Sequence, residues 1–136
     1  MFVVRPIQDK ETQIRVCSEL NAEFYDNSLA FFAADLKEDG LNIDCFIGIC
    51  QFYMGKKGEI IDFTIAEGRE NDEAVIVMLR AVMSFMNRCG VSSAFFAENA
   101  ATEYWLKKSG FVNKNGTYEI DLDLFYTSPC KYSDNE

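Results

Sequence analysis

Asn99-Ala100-Ala101-Thr102-Glu103-Tyr104-Trp105-Leu106-Lys107-Lys108-Ser109-Gly110-Phe111 is the stretch on which the reading of this 136-residue chain turns. Asn99 is a strong helix N-cap, Tyr104 and Lys107-Lys108 extend the helix, and Gly110 can take the left-handed conformation that ends one. Trp105 lies four residues beyond Ala101 and three beyond Thr102, and Leu106 four beyond Thr102, which gives the helix an apolar stripe for a sheet to cover. The short apolar run 93–97 precedes it, so the segment reads as a strand, a helix and a second strand turning a corner.

Working outward, residues 74–88 carry Val75, Met78, Leu79, Val82, Phe85 and Met86 at helical spacing, and Gly90 ends the run. Residues 59–65 read as a strand after a Lys56-Lys57-Gly58 turn, with Ile61, Phe63 and Ile65 on one face and Ile60, Asp62 and Thr64 on the other. Residues 43–54 form a longer strand entered through Glu38-Asp39-Gly40, with the aromatic segment 29–36 before it. Residues 2–7 open the chain as a strand, and Asp9 begins a helix whose Ile14, Cys17, Leu20 and Phe24 recur at helical spacing. Beyond the corner, Tyr118, Ile120, Leu122 and Leu124 alternate with Glu119, Asp121 and Asp123, which predicts a final strand over 118–125. A single domain over 1–126 is expected, followed by a loose polar tail over 127–136 that contains Pro129. This order predicts an α+β layered fold, a mixed central sheet flanked by helices. Residues 59–65 and 93–97 should lie adjacent and parallel, joined by a right-handed crossover.

Apolar residues make up 49% of the chain and aromatics 14%, ample for one core. Histidine is absent, which removes Ser-His-Asp and Cys-His machinery, histidine bases and most mixed transition-metal sites. The five cysteines (Cys17, Cys45, Cys50, Cys89, Cys130) make no CxxC pair and are odd in number, so they read as buried thiols rather than a disulfide framework or a metal site. A net charge of −9 opposes nucleic acid and disfavours anionic cofactors unless local donors override the field. No apolar run approaches the roughly 18 residues of a membrane span, and Met1-Phe2-Val3-Val4-Arg5-Pro6 lacks a secretory layout. A cytoplasmic protein with no membrane partner is expected.

The opening segment resembles a signature of the GNAT superfamily of N-acetyltransferases, which runs roughly Asn-x-x-Ala-x-x-Phe-Tyr-x-Lys-x-Gly-Phe. Asn99, Lys108, Gly110 and Phe111 match at that spacing, and Leu106 stands where the family usually carries a tyrosine. The resemblance covers residues 2–125 and implies a GNAT-like acyl-CoA N-acyltransferase fold. It further implies that acetyl-CoA is cradled at the strand-to-helix junction 65–79 by a motif of Arg or Gln, two residues, Gly, one residue, then Gly or Ala. The chemistry there is that of a phosphate at a helix N-terminus, where free N–H groups and the dipole face an anion. One register sets Arg69, Asp72 and Ala74 on the motif positions; the next sets Glu70, Glu73 and Val75 there. Asn99 joins this cofactor-binding set by resemblance. Asp72 is expected to cap the helix, taking amides that a pyrophosphate would use, and to repel phosphates together with Glu73. Leu106 cannot protonate a departing thiolate, and Tyr104 lies about 200° around the helix from it.

A general base would come from acids on the central strands. Asp62 is foremost, because a carboxylate in an apolar strand must line a cleft, accept hydrogen bonds or shift its pKa. Glu98 and Glu59 are secondary. Two readings follow. The chain is a GNAT-fold binding or regulatory module with a degenerate acetyl-CoA site, or it is an active N-acetyltransferase for a small amine or protein amine that uses acetyl-CoA. The first predicts a negative cleft near Asp62, Thr64 and Glu98, narrowed by Phe63, Phe95 and Phe96, suited to a small cationic ligand or a basic protein segment.

Overall fold

The computed structural model describes residues 1–68, 71–97 and 103–127. The elements run β1 (Phe2–Ile7), α1 (Lys10–Leu20), β2 (Leu29–Leu36), β3 (Ile43–Met54), β4 (Gly58–Ile65), α2 (Asp72–Arg88), β5 (Ser93–Ala97), α3 (Glu103–Ser109), β6 (Val112–Lys114), β7 (Thr117–Asp121) and α4 (Leu122–Thr127). The strands form one seven-stranded sheet in the order β1-β2-β3-β4-β5-β7-β6. Neighbours are antiparallel except β4 and β5, which are parallel and joined through α2 as the sequence predicts.

A core forms on each face. Under α2, Val75, Met78, Leu79, Val82, Met83 and Met86 pack on Phe31, Ile47, Phe52, Ile60 and Phe63 of the strands. Under α1, a smaller cluster joins Val16, Cys17 and Leu20 to Ala30, Phe32, Ala34 and Ile49. Asp9 caps α1, its carboxylate accepting from Thr12 N–H at 2.8 Å. The buried stripe of α1 is Gln13, Val16, Cys17 and Leu20, whereas Ile14 is exposed. Asn21, in the left-handed region at φ 57°, ends the helix, so Phe24 lies beyond it.

Other expectations are corrected as well. The alternation of β4 breaks at Ile61, because the register moves from Gln51↔Asp62 to Phe52↔Ile60. This bulge returns Ile60 to the α2 core beside Phe63, while Asp62 and Thr64 keep the opposite face. The final strand stops at Asp121, whose carboxylate accepts from Leu124 N–H at 2.9 Å and starts α4, leaving Leu124 exposed. An additional strand, β6, pairs with β7 across Asn115-Gly116, both at positive φ, a hairpin chemistry carried by the Asn-Gly dipeptide. Of the thiols read as buried, Cys89 is exposed and Cys45 half-buried; Cys130, with 128–136 of the expected tail, lies outside the described residues. Among the described residues no helix is long and apolar enough to cross a membrane.

Candidate functional site

Parallel pairing of β4 with β5 is confined to Gly58↔Ala94 and Glu59↔Phe95. Gly58 anchors this end, since a Cβ there would collide with the Met86 side chain of the crossover helix. Beyond Glu59 the strands have no further paired residues, and the helices that follow them begin at their carboxyl ends. That is where open α/β sheets place ligands.

On the α2 side the opening is filled with rings. Phe63 meets Phe96 at 6.0 Å and Trp105 at 6.3 Å between centroids, the latter edge to face. Phe63 and Phe96 are the fillers expected from the sequence. Trp105 of α3 is the third, and Phe95, in register with Glu59 and Glu119, is only half-buried. Burying a ring of this size contributes about 1.5–3 kcal/mol, so the plug is a structural element in its own right.

The mouth above the plug differs from the expectation. Asn71, not Asp72, caps α2: its backbone is extended and its side chain accepts from Ala74 N–H at 3.1 Å, while Val75 N–H donates to Asn71 O at 3.0 Å. An amide at the cap frees Asp72, the first helical residue, to reach across to α3. Its carboxylate accepts from Tyr104 Oη–H at 2.7 Å and from Trp105 Nε1–H at 3.2 Å. This contact raises the pKa of Tyr104, since the hydroxyl donates to a carboxylate and would lose that bond on ionising. Glu73 is exposed beside it and Ala74 fully buried. Leu106, at the position of the usual family tyrosine, lies in the α2 core with no exposure. Arg69, Glu98 and Asn99 fall outside the described residues.

The α1 side of the same strands is polar. Asp62 is half-buried and accepts from Thr64 Oγ1–H at 2.9 Å. Burial raises its pKa, the Thr64 hydrogen bond pulls it back down, and the charge of Glu23 adds to the rise. Tyr25 is also raised, by burial first and then by the charges of Glu23 and Asp62. Glu23 and Tyr25 sit on the loop 21–28, which a buried amide cluster pins to the sheet. Gln51, fully buried in β3, donates to Glu23 O at 2.7 Å and accepts from Tyr25 N–H at 3.1 Å and Gln13 Nε2 at 2.9 Å. Gln13 also donates to Ser28 Oγ at 2.8 Å, and Ser28 Oγ donates to Tyr25 O at 2.6 Å. Sequence reading passed over Gln51 and Gln13, although a glutamine inside Ile47-Gly48-Ile49-Cys50-Gln51-Phe52 was the available signal, a polar group that burial obliges to be bonded.

Further along this face, past Thr64, the end of α1, the start of β3 and the end of β4 border an open pocket of about 870 Å³, lined by residues that include Arg15, Glu19, Leu20, Asp44, Phe46, Ala66 and Glu67. Neither Asp62 nor Thr64, about which a negative cleft is expected, lines this pocket, and Glu98 lies outside the described residues.

A mixed seven-stranded sheet flanked by helices, splayed between two parallel strands with the crossover helix at the mouth, is the GNAT acyl-CoA N-acyltransferase fold. Solved structures that share it include a spermidine N-acetyltransferase variant from Vibrio cholerae (TM-score 0.70, 11% identity, 94% of this chain and 98% of that one). The NatC complex bound to a Gag peptide and CoA (0.65, 13%, 87% and 95%) and an acetyltransferase of the GNAT family from Staphylococcus aureus (0.62, 10%, 90% and 99%) share it too. Neither a family model nor a curated protein matches the sequence.

Proposed function

We propose that this chain is a GNAT-fold binding module for a cationic ligand or basic segment rather than a working acetyltransferase. The observation that carries the reading is the Asp72 carboxylate at the mouth, bonded to Tyr104 and Trp105 across the gap between α2 and α3. A pyrophosphate entering there meets two carboxylates, Asp72 and Glu73, on the first turn, and finds the Ala74 and Val75 amides already bonded to Asn71. Each like-charge contact near the surface costs on the order of 1 kcal/mol, so several together weaken an anion's binding by about a hundredfold. The residues described at this mouth therefore do not fit a CoA pyrophosphate. The net charge of −9 favours a cation instead.

Calorimetric titration with acetyl-CoA tests this: weak or no binding is expected, and submicromolar affinity overturns it. Asp72→Gly combined with Glu73→Lys should raise CoA affinity by roughly tenfold or more, because both the clasp and the repulsion are removed.

A second reading, an active N-acetyltransferase for a small amine or protein amine, draws support from Asp62. A half-buried carboxylate with raised pKa, at the strand splay where the fold's chemistry lies, suits a proton acceptor. CoA binding together with transfer activity that is lost in Asp62→Asn would favour it.

A further inference from the structure

We propose that the carboxylate of Asp72 is an autoinhibitory latch: by holding Tyr104 and Trp105 of α3 against the first turn of α2, it keeps the plug of Phe63, Phe96 and Trp105 seated and the splay between β4 and β5 shut. The latch is separate from the binding-module reading. That reading concerns which ligands the mouth repels, and the latch concerns whether the splay behind it is open. Trp105 joins the two regions, because its indole N–H donates to Asp72 at 3.2 Å while its ring meets Phe63 edge to face. Tyr104 donates to the other carboxylate oxygen at 2.7 Å, and its ring stands against that of Trp105 at 5.9 Å between centroids. One side chain of α2 thus sets the position of two consecutive rings of α3.

The contact is one that can release. Asp72 and Tyr104 are exposed, so both bonds can be exchanged for bonds to water, and such bonds contribute little net free energy. Phe63 and Phe96 behind them are buried. A weak polar contact therefore stands in front of a strong apolar one. The helix α3 has only 7 residues, too few to be stable alone, and its buried residues are Leu106 and Ser109. Three of its polar contacts lie within the helix and travel with it: Glu103 with Lys107 at 2.8 Å, Ser109 Oγ with the Trp105 carbonyl at 2.8 Å, and Lys108 Nζ over the Tyr104 ring. Released from Asp72, the first turn pivots about the buried Leu106, with Glu103 still beside Tyr118 of β7, and Trp105 leaves Phe63. Loss of both bonds should raise the open population by roughly tenfold.

The experiment uses the full chain, in which Trp105 is the single tryptophan. Asp72→Ala removes both acceptor oxygens. Glu73→Ala removes the same charge from the same turn and leaves both bonds in place, while Tyr104→Phe deletes one bond and keeps the ring. The readouts are nuclear Overhauser contacts between the Trp105 and Phe63 rings, acrylamide quenching of Trp105 fluorescence, and binding of Nile red, an uncharged apolar dye. In Asp72→Ala the ring contacts should fade, the quenching constant should rise by roughly twofold or more, and the dye should bind roughly tenfold more tightly than to the parent. Tyr104→Phe should show a smaller change in the same direction, and Glu73→Ala none. Protected α2 amides in Asp72→Ala show an intact core; where that protection is lost, Tyr104→Phe, which leaves the start of α2 untouched, decides by the same criterion. Retained ring contacts with unchanged dye binding overturn the latch, because the carboxylate is then a surface bond that holds nothing shut. An equal response in Glu73→Ala overturns it too, by tracing the effect to charge. Tight binding of acetyl-CoA to the parent would overturn the binding-module reading and leave the ring contacts to decide the latch.

Discussion

On the α2 face, side chains meet as methionine, leucine, valine and phenylalanine with almost no exposed surface, and the splay is plugged by Phe63, Phe96 and Trp105. On the α1 face a helix of only 11 residues covers a smaller apolar cluster, and the rest is held by buried amides and bordered by carboxylates and an open pocket. Hydrophobic burial is non-directional and scales with area, so the first face is stable without specifying any group's position. A buried hydrogen-bond network contributes less net free energy but fixes where each atom sits. The closed face thus supplies stability, and the open face positions charge.

The largest test of that contrast is Leu79→Ala. Leu79 has no exposure and lies in the α2 cluster, so truncation should cost about 2–5 kcal/mol. Urea unfolding should show the midpoint falling at nearly constant slope, with every probe moving together. A loss under about 1 kcal/mol, nearer the cost of a surface change, would mean that α2 is not the main source of stability.

A smaller and more local effect is expected at Gln51. Gln51→Leu substitutes an apolar side chain of similar size and strips partners from Gln13 Nε2, Tyr25 N–H and Glu23 O. Unsatisfied buried groups cost about 1–3 kcal/mol, less where water can enter. Hydrogen exchange should accelerate selectively over residues 22–28 while the α2 amides stay protected. Uniform acceleration would show that the two faces are one cooperative unit.

The closed face was the more legible of the two because its signal is periodic. Val75, Met78, Leu79, Val82 and Met86 announce a helix and its buried side at once, and the strand–helix–strand order fixes β4 beside β5. The open face depends on contacts between residues far apart in the chain, such as Gln13 with Gln51, which no local pattern encodes. The bulge at Ile61 was invisible for the same reason, being a property of the pairing with β3. At the mouth, two adjacent residues, Asn71 and Asp72, could each cap α2. Local chemistry does not choose between them; Tyr104 and Trp105, more than thirty positions away, engage Asp72 and leave the cap to Asn71.

The smallest predicted effect concerns the charge on the open face. Asp62 has its pKa raised in the folded protein, chiefly by burial, from an ordinary value of 3.8. Between the unfolded and folded pKa values the native state binds more protons than the unfolded chain, so stability falls as pH rises through that window. Below 3.8 the carboxyl is protonated in both states and the penalty vanishes. Asp62→Asn should therefore be more stable than the parent at neutral pH, with the gap closing as the solution is acidified. Because Asp62 is only half-buried, the gain is modest and is best read as the sign and pH trend of the difference in thermal midpoints. The neighbouring Glu23 contributes to the rise, so Glu23→Gln should shift the window of Asp62 downward without removing it. A variant less stable at neutral pH, by a margin that grows with pH, would show that the ionised carboxylate is held by favourable contacts. The open face would then be stabilised by its charge rather than strained by it.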